Sequence, residues 1–368
     1  MTGNPIAVFD GHNDVLLRLF RRGGEAERAF LDGEAAGHID LPKARRGGLA
    51  GGLFAIFSPS DEGSGGGSKV EELMATPPYD VPLPEHLELT FAQRVTVNMA
   101  ALLFRIERAS AGAVKVCRSA AEIEGAIAGG VLASVLHVEG ADAIDPDFHL
   151  LDVLCEAGLR SLGLVWSRPN AFARGVPFRF PSTPDTGPGL TDAGRALVAH
   201  CNARRILIDL SHLNEAGFWD VAKLSDAPLV ATHSNAHALT PHSRNLTDRQ
   251  LAAIGESGGL VGVNFATSFL RPDGRRDADT PLEDVIAHFD HLIGKVGEDG
   301  VGFGSDFDGA TVPRAIGDAA GLPALVEAMR RHGYGETLLA KLCHGNWLRV
   351  LARTWGEPRS ERRADLAA

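Results

Sequence analysis

The sequence is poor in cysteine and lacks long apolar runs. Its 4 cysteines, Cys117, Cys155, Cys201 and Cys343, are scattered, and none forms a CxxC pair. Such spacing favours free buried thiols in a reducing compartment over disulfides or thiolate metal ligands. No stretch of about 18 consecutive apolar residues predicts a membrane span, and the N-terminus lacks the basic and apolar regions of a secretory signal. We therefore expect a cytoplasmic protein without a membrane partner.

Positive charge is also scarce. The chain has 36 Lys and Arg residues against 47 Asp and Glu, which gives a formal net charge of −11. This balance disfavours nucleic acid or an anionic membrane as the main partner. It does not exclude a small anionic substrate, because a local site can oppose the global sign.

Short apolar runs alternate with helical patterns along most of the 368 residues. Alternation of this kind predicts a parallel sheet in an α/β protein. Eight such units predict a single-domain (β/α)8 TIM-type barrel over residues 1–356, with extra C-terminal helices and a polar tail at 357–368. A doubly wound open sheet is the alternative, although no GxGxxG motif follows the first run. The predicted strands are residues 6–9, 53–57, 131–136, 159–165, 206–210, 228–231, 259–264 and 301–304.

Helix starts and loops can also be read from the sequence. Ser119 with Glu122 three residues later predicts a capping box, and Thr191, Asn214 and Thr247 are further predicted helix caps. Two stretches rich in glycine and proline, residues 58–84 and 168–189, are predicted loops that shape a pocket.

Histidines and carboxylates stand at the ends of five predicted strands. In a barrel these strand ends converge on one face. A catalytic zinc takes about three protein ligands, so three histidines and three carboxylates favour two metals that share a carboxylate. Nitrogen and oxygen donors suit Zn²⁺, and Mn²⁺ or Fe²⁺ would also fit. The six residues are His12, Asp14, Glu139, His212, His233 and Asp306.

Other polar residues near these ends have simpler interpretations. His137 is expected to pack or to support the site, and Asp308 to bond loop amides. His237 and His242 lie in a polar loop, where surface or supporting roles are expected. Arg244 could bind a substrate carboxylate through its bidentate fork or could be a solvated residue before a helix.

The ordered set of motifs resembles the membrane (renal) dipeptidase family of zinc metallopeptidases, which belongs to the amidohydrolase-like barrels. The resemblance covers residues 10–351. The matching motifs are Asp10-Gly11-His12-Asn13-Asp14, Val138-Glu139-Gly140, Asp209-Leu210-Ser211-His212, Thr232-His233-Ser234-Asn235, Ser243-Arg244-Asn245 and Gly304-Ser305-Asp306-Phe307-Asp308-Gly309.

The resemblance implies a set of metal ligands. His12 and Asp14 would bind one zinc, His212 and His233 the other, and Glu139 would bridge the two ions.

The resemblance also implies the reaction. Asp306 would be the general acid/base that takes a proton from the bridging water and passes it to the leaving amine. Arg244 would clamp the C-terminal carboxylate of a dipeptide, and the family tolerates a D-residue at that position. A homodimer is implied by the resemblance alone.

One segment departs from the family pattern. Where mammalian members carry a histidine after the fourth strand, this chain has Trp166. An indole donates one hydrogen bond but cannot be a cation. Stabilisation of the transition state must then come from the metals, from Asn170 or from Arg168, and Trp166 and Asn170 are predicted substrate-binding residues.

Two alternative functions remain open from the sequence. The first keeps the barrel and the metals but acts on a different amide, such as a cyclic amide, an N-acyl amino acid or a secondary-metabolite conjugate. The second is a non-catalytic binding protein that has kept the fold, which the complete set of ligands and the acid/base residue disfavour.

Overall fold

Apolar strands close into a parallel barrel at the centre of the protein. The computed structural model describes residues 5–60, 70 and 72–356. The strands are β1 (Val8–Asn13), β2 (Leu49–Phe57), β3 (Tyr79–Asp80), β4 (Val114–Val116), β5 (Leu132–Glu139), β6 (Leu159–Gly163), β7 (Arg179–Phe180), β8 (Leu207–Asp209), β9 (Val230–Ala231), β10 (Leu260–Val263) and β11 (Val301–Phe303).

The barrel contains the eight strands that the sequence predicts. They follow the order β2-β1-β11-β10-β9-β8-β6-β5, and β2 then pairs with β5 to close the ring. This last pairing runs in register from Gly51 opposite Ala133 to Phe57 opposite Glu139. Every residue of β1 and β5 is buried, as expected of strands covered on both faces. Closure confirms the TIM-type barrel and rules out the open sheet.

Three short strands were not predicted. Strand β4 pairs with the first half of β5 through Val114 and Leu132. Strands β3 and β7 form a separate antiparallel pair, with Tyr79 opposite Phe180, inside the two segments predicted as loops. Strands of two or three residues are too short to show a period in the sequence. Residues 61–69 and 71 of the first predicted loop and the predicted tail at 357–368 lie outside the described residues.

Helices surround the barrel and follow most of its strands. They are α1 (Val15–Arg22), α2 (Ala26–Asp32), α3 (Leu41–Gly47), α4 (Leu89–Ala109), α5 (Ala120–Ala128), α6 (His149–Ala157), α7 (Asp192–Arg204), α8 (Glu215–Leu224), α9 (Asp248–Glu256), α10 (Thr267–Leu270), α11 (Leu282–Val296), α12 (Leu322–His332), α13 (Glu336–Ala340) and α14 (Asn346–Trp355). In the part of the chain that the structure describes, none of them is both long and apolar enough to cross a membrane.

The predicted helix caps are present. Thr191 and Asn214 each accept a hydrogen bond from a backbone amide in the first turn of their helices, and Thr247 forms a full capping box. Ser119 caps α5, but the predicted capping box is wrong there. The Glu122 carboxylate accepts from the Arg118 amide at 2.7 Å instead of the Ser119 amide.

The C-terminal helix α14 closes the N-terminal end of the barrel. Its Trp347 is fully buried, and the indole nitrogen donates to the Phe303 carbonyl oxygen at 2.9 Å. Trp347 packs in one apolar cluster with Leu207, Val230 and Leu260, which are the first residues of β8, β9 and β10. The strands finish at the opposite end of the barrel, which is therefore the end available for a functional site.

Candidate metal centre

Five side chains that the sequence places at strand ends meet at the C-terminal mouth of the barrel. Glu139 Oε1 lies 3.0 Å from His212 Nε2, 3.4 Å from His233 Nε2 and 3.7 Å from His12 Nε2. His12 Nε2 lies 3.5 Å from Asp14 Oδ2. All five residues are between 0% and 6% exposed. The structure therefore places the Glu139 carboxylate at the centre of the residues predicted as ligands.

Several of these buried polar atoms lack a partner within the described residues. Both ring nitrogens of His12 and Oδ1 of Asp14 form no hydrogen bond there. Leaving buried polar groups unsatisfied is costly, and such groups call for an explanation. Among the described residues, ligand-type atoms lie within 4.8 Å of one another in three groups that share His12: with Glu139 and His233, with Asp14 and Asp306, and with His137 and Asp209. This donor set of nitrogen and oxygen fits a divalent metal.

Hydrogen bonds behind the centre fix the tautomer of His233. The Thr232 hydroxyl donates to Asp209 Oδ2 at 2.6 Å and lies 2.9 Å from His233 Nδ1. Because the Asp209 carboxylate can only accept, the hydroxyl oxygen must accept from His233 Nδ1–H. The lone pair of Nε2 then points at the centre, as a metal ligand requires. Ser167 Oγ forms a hydrogen bond of 2.9 Å with Nδ1 of His212.

Sequence reasoning assigned no role to Asp209, Thr232 or Ser167. Asp209 and Thr232 each begin one of the two later histidine motifs. Their polar side chains at the ends of two predicted strands could have indicated a supporting role. Ser167 gave no signal, since a serine in a loop is common.

Electrostatic interactions in the centre shift the pKa values of its members. Burial raises the pKa of Glu139 well above its usual range and lowers those of His212 and His233 well below theirs. Burial also opposes protonation of His12, but Glu139 and Asp14 outweigh it and raise its pKa to about 10.

Three residues at the same site have a strained backbone. His212, Asp306 and Asp308 have φ of 68°, 58° and 67°, in the left-handed region that non-glycine residues rarely adopt. Gly309 follows directly, and a Cβ atom there would overlap Asp14 Oδ2 and lie 2.5 Å from Asp306 Oδ1. Strained residues of this kind persist where the surrounding structure holds them, often at functional sites.

Asp306 lies at the edge of the centre. Its Oδ2 accepts a hydrogen bond from Asn264 Nδ2 at 2.9 Å. Burial raises the pKa of Asp306 despite the opposing effect of His12, and Asp14 raises it further. Asn264 was not singled out from the sequence, although it ends the seventh predicted strand.

Arg244 is buried beside the centre, with 3% of its surface exposed. Its guanidinium donates to the His233 carbonyl oxygen at 3.1 Å and lies 5.5 Å above the Phe269 ring. Its Nε has no hydrogen-bond partner among the described residues. Burial lowers its pKa to about 10, while Asp306 and Glu139 oppose that shift. Of the two interpretations that the sequence left open, the solvated arginine is wrong.

A cavity of about 340 Å³ opens above these residues. Asp14, Glu139, His212 and Asp306 form its polar floor. Its volume lies within the usual range for small-molecule sites. The aromatic residues that line it are Phe57, Trp166, Phe178 and Phe269.

Trp166 belongs to this aromatic wall. Its ring centroid lies 4.9 Å from that of Phe57, 5.6 Å from that of Phe178 and 5.9 Å from that of His212. The structure thus places the predicted substrate-binding tryptophan beside a predicted metal ligand.

Asn170 and Arg168 do not enter the cavity, although Arg168 Cζ lies 5.4 Å from the ring centroid of Trp166 and 5.7 Å from that of Phe57. The Asn170 side chain donates to the Leu164 carbonyl oxygen at 2.8 Å and accepts from two loop amides. The Arg168 guanidinium bonds Ser58 and Ser60 at 3.1 and 3.0 Å. Neither residue, nor Arg244, is among those that line the cavity.

The remaining predicted residues have structural partners. Asp308 accepts from the amides of His38 and Ile39, which confirms its expected role. His237 bonds the Ser182 carbonyl oxygen at 2.7 Å. His242 is fully buried and accepts from the Arg244 amide, so it has the supporting role and not the surface one.

Comparison with known proteins identifies relatives of the whole chain. A family model described as membrane dipeptidase (Peptidase family M19) matches residues 4–361. A metallopeptidase from Rhodobacter sphaeroides, crystallised with a phosphinate mimic of the dipeptide L-Ala-D-Ala, is 58% identical with a TM-score of 0.94. This similarity covers 95% of this chain and 100% of that one.

Two further relatives differ in how close they are. An uncharacterized Klebsiella pneumoniae protein from the pqqA 5′ region is 52% identical over 255 residues, which are 69% of this chain and 94% of that protein. The probable dipeptidase PvdM from Pseudomonas aeruginosa is 24% identical with a TM-score of 0.78, over 95% of this chain and 96% of that one. At that identity the likeness bears on the fold alone.

The barrel, the convergent histidines and carboxylates and the family match agree. The match extends over nearly the whole chain, from residue 4 to residue 361. The chain therefore belongs to the membrane dipeptidase family, Peptidase family M19, and is a metal-dependent dipeptidase.

Proposed function

We propose that this protein hydrolyses dipeptides with two Zn²⁺ ions. His12 and Asp14 would hold one ion, His212 and His233 the other, and Glu139 both. The observation that carries this proposal is the position of Glu139 Oε1, within 3.7 Å of Nε2 atoms from all three histidines. Zn²⁺ suits such nitrogen and oxygen donors, and metal analysis would distinguish it from Mn²⁺ or Fe²⁺.

Asp306 is proposed as the general acid/base. When bound, the metal ions lower the pKa of water and polarise the scissile carbonyl group. Asn264 holds Asp306 Oδ2 at 2.9 Å, which leaves Oδ1 to take the proton of the attacking water and pass it to the leaving amine. A carboxylate whose pKa is raised is better suited to this exchange near neutral pH.

Arg244 and the aromatic wall would orient the substrate. The buried guanidinium, with its unpartnered Nε among the described residues, is proposed to bind the C-terminal carboxylate of the dipeptide. Trp166 is proposed to contact a substrate side chain across the cavity. The contact predicted for Asn170 stays a prediction from the sequence, since loop backbone groups occupy its amide.

The stereochemistry of the substrate is part of the proposal. The Rhodobacter sphaeroides relative was crystallised with a mimic of L-Ala-D-Ala. Its 58% identity over 95% of this chain supports cleavage of dipeptides with a C-terminal D-residue here.

A cytoplasmic location is proposed from the cysteines. All 4 are free and buried, as expected in a reducing compartment. The homodimer implied by the resemblance stays a prediction.

Substitution of Asp306 tests the mechanism. Asp306→Asn keeps the size of the side chain and removes the proton acceptor. We expect turnover of a panel of L,L- and L,D-dipeptides to fall by about 10²–10⁴-fold, with the bound metal unchanged. Asp226→Asn, an exposed substitution, is the control and should leave turnover unchanged.

Two outcomes would change the proposal. Full activity of Asp306→Asn would remove Asp306 from the mechanism. Inactivity of the unaltered protein on the whole panel, with two metals bound, would favour a non-peptide amide as the substrate.

A further inference from the structure

We propose that His137 is a positioning residue for His233, acting from inside the barrel through Asp209 and Thr232. This inference rests on the proposed function, since it takes His233 to be a metal ligand. His137 lies on β5 two residues before Glu139, so both side chains leave the strand on the same face.

His137 carries a buried nitrogen that faces a carboxylate. The side chain has 0% exposure, and its Nδ1 lies 2.9 Å from Ser161 Oγ. Its Nε2 has no hydrogen-bond partner among the described residues and lies 3.7 Å from Asp209 Oδ2. We take the Ser161 hydroxyl as the donor to Nδ1, which puts the ring proton on Nε2, the nitrogen that faces Asp209.

Asp209 has room for this additional donor. Its Oδ1 accepts from the amides of Ser211 and Thr232 at 2.9 and 2.8 Å, whereas Oδ2 accepts from the Thr232 hydroxyl at 2.6 Å. A movement of less than about 1 Å would bring His137 Nε2, which lies 3.7 Å away, within hydrogen-bond distance. His137 would thus hold Asp209 in the orientation that accepts from Thr232.

The network crosses neighbouring strands of the barrel. His137 and Ser161 are register partners on β5 and β6, and Asp209 ends β8 beside Gly163 of β6. Thr232 directly follows β9 and carries the connection to His233 Nδ1. The register of the neighbouring strands places these groups together, so the contacts follow from the way the barrel strands pair.

A packing role alone does not account for His137. An apolar side chain would fill the same volume without burying an unsatisfied nitrogen, which is destabilising. The nitrogen is therefore expected to have a role, and it lies 3.7 Å from the carboxylate that orients a predicted metal ligand.

Two substitutions separate positioning from packing. His137→Leu fills the space without a donor, whereas His137→Gln keeps an N–H close to the position of Nε2. The stepwise Zn²⁺ dissociation constants of the chelator-treated protein would be measured by competition with a colorimetric chelator. Dipeptide kcat and KM would be measured alongside.

We expect His137→Leu to weaken one of the two zinc affinities by roughly 10–100-fold, as loss of groups that orient a ligand does. His137→Gln should recover most of that loss, and KM should change little in either variant. The control pair is His200→Leu and His200→Gln, because His200 lies 2.9 Å from Asp152 but outside the centre, and neither should change zinc affinity.

Unchanged zinc affinity in a folded His137→Leu would overturn the inference, as would equal losses in the leucine and glutamine variants. If His137→Leu does not fold, Ser161→Ala tests the same network, and unaltered zinc affinity there would also contradict it. Failure of the proposed function would be seen differently, as absence of zinc binding or of dipeptide turnover in the unaltered protein.

Discussion

At the scale of single residues, the centre depends on positions that tolerate few other residue types. Glycine at position 309 is one example, because any Cβ atom would overlap Asp14 Oδ2 and crowd Asp306 Oδ1. A glycine here is thus needed for the close approach of backbone to carboxylates.

Gly309→Ala is expected to displace both carboxylates. We predict a loss of metal affinity of roughly 10–100-fold, measured by chelator competition, with the secondary structure retained. Gly294→Ala is the matched control, because nothing lies within 4 Å of a Cβ there. It lies inside α11 and should stabilise the protein by up to about 1 kcal/mol. Normal metal affinity in Gly309→Ala would contradict the close approach described here.

At the scale of secondary-structure elements, α11 is tied to the loop that carries Arg244. The His288 Nδ1 accepts from the Ala236 amide at 3.1 Å, and its Nε2 donates to the Leu270 carbonyl oxygen at 3.0 Å. Both ring nitrogens are therefore satisfied by a neutral imidazole. Burial lowers the pKa of His288 from 6.5 to about 4.

This low pKa predicts a pH-dependent stability. Above pH 6.5 the ring is neutral in both the folded and the unfolded chain, so its full contribution is present. As the pH falls from 6.5 to about 4, only the unfolded chain gains the proton, and the free energy of unfolding decreases. The loss amounts to on the order of 3 kcal/mol over that range.

Urea unfolding of the metal-free protein at several pH values would measure this effect. His288→Leu should be less stable at pH 7, because it loses two hydrogen bonds, but its stability should fall less steeply below pH 6.5. An equal slope in the variant and the unaltered protein would contradict the assignment to His288.

The elements also show what can be predicted from a sequence. The barrel strands and the caps Thr191, Asn214 and Thr247 were predictable, because burial and local hydrogen bonding leave local patterns. Strand β4 was missed, since three residues carry no readable period. The histidines and carboxylates at strand ends were predictable because the barrel topology alone brings them together.

The supporting groups of the site could not be predicted. The pairing of His137 with Ser161 depends on the register of β5 and β6, which no local pattern gives. The burial of Arg244 depends on Phe269, which arrives from a different part of the chain. Asn170 was predicted to bind substrate because it lies in the segment that departs from the family pattern, but its amide bonds loop backbone groups.

At the scale of the whole molecule, the two ends of the barrel have different roles. The N-terminal end is packed with apolar side chains, and the C-terminal end carries the candidate metal centre. Trp347 and α14 close the N-terminal end with an apolar cluster, while the C-terminal end carries the strained His212 and Asp306 and the unpartnered atoms of His12 and Asp14. A rigid ring of strands can thus hold a site whose own groups are poorly satisfied without metal.

The central claim is that two metal ions at this mouth are needed for dipeptide hydrolysis. The most direct test is to titrate the chelator-treated protein with Zn²⁺ and follow hydrolysis of L-Ala-D-Ala. The two sets of ligands around Glu139 predict no appreciable activity without metal and a rate that reaches its maximum at two equivalents per chain. A maximum at one equivalent, or hydrolysis that persists without metal, would contradict it.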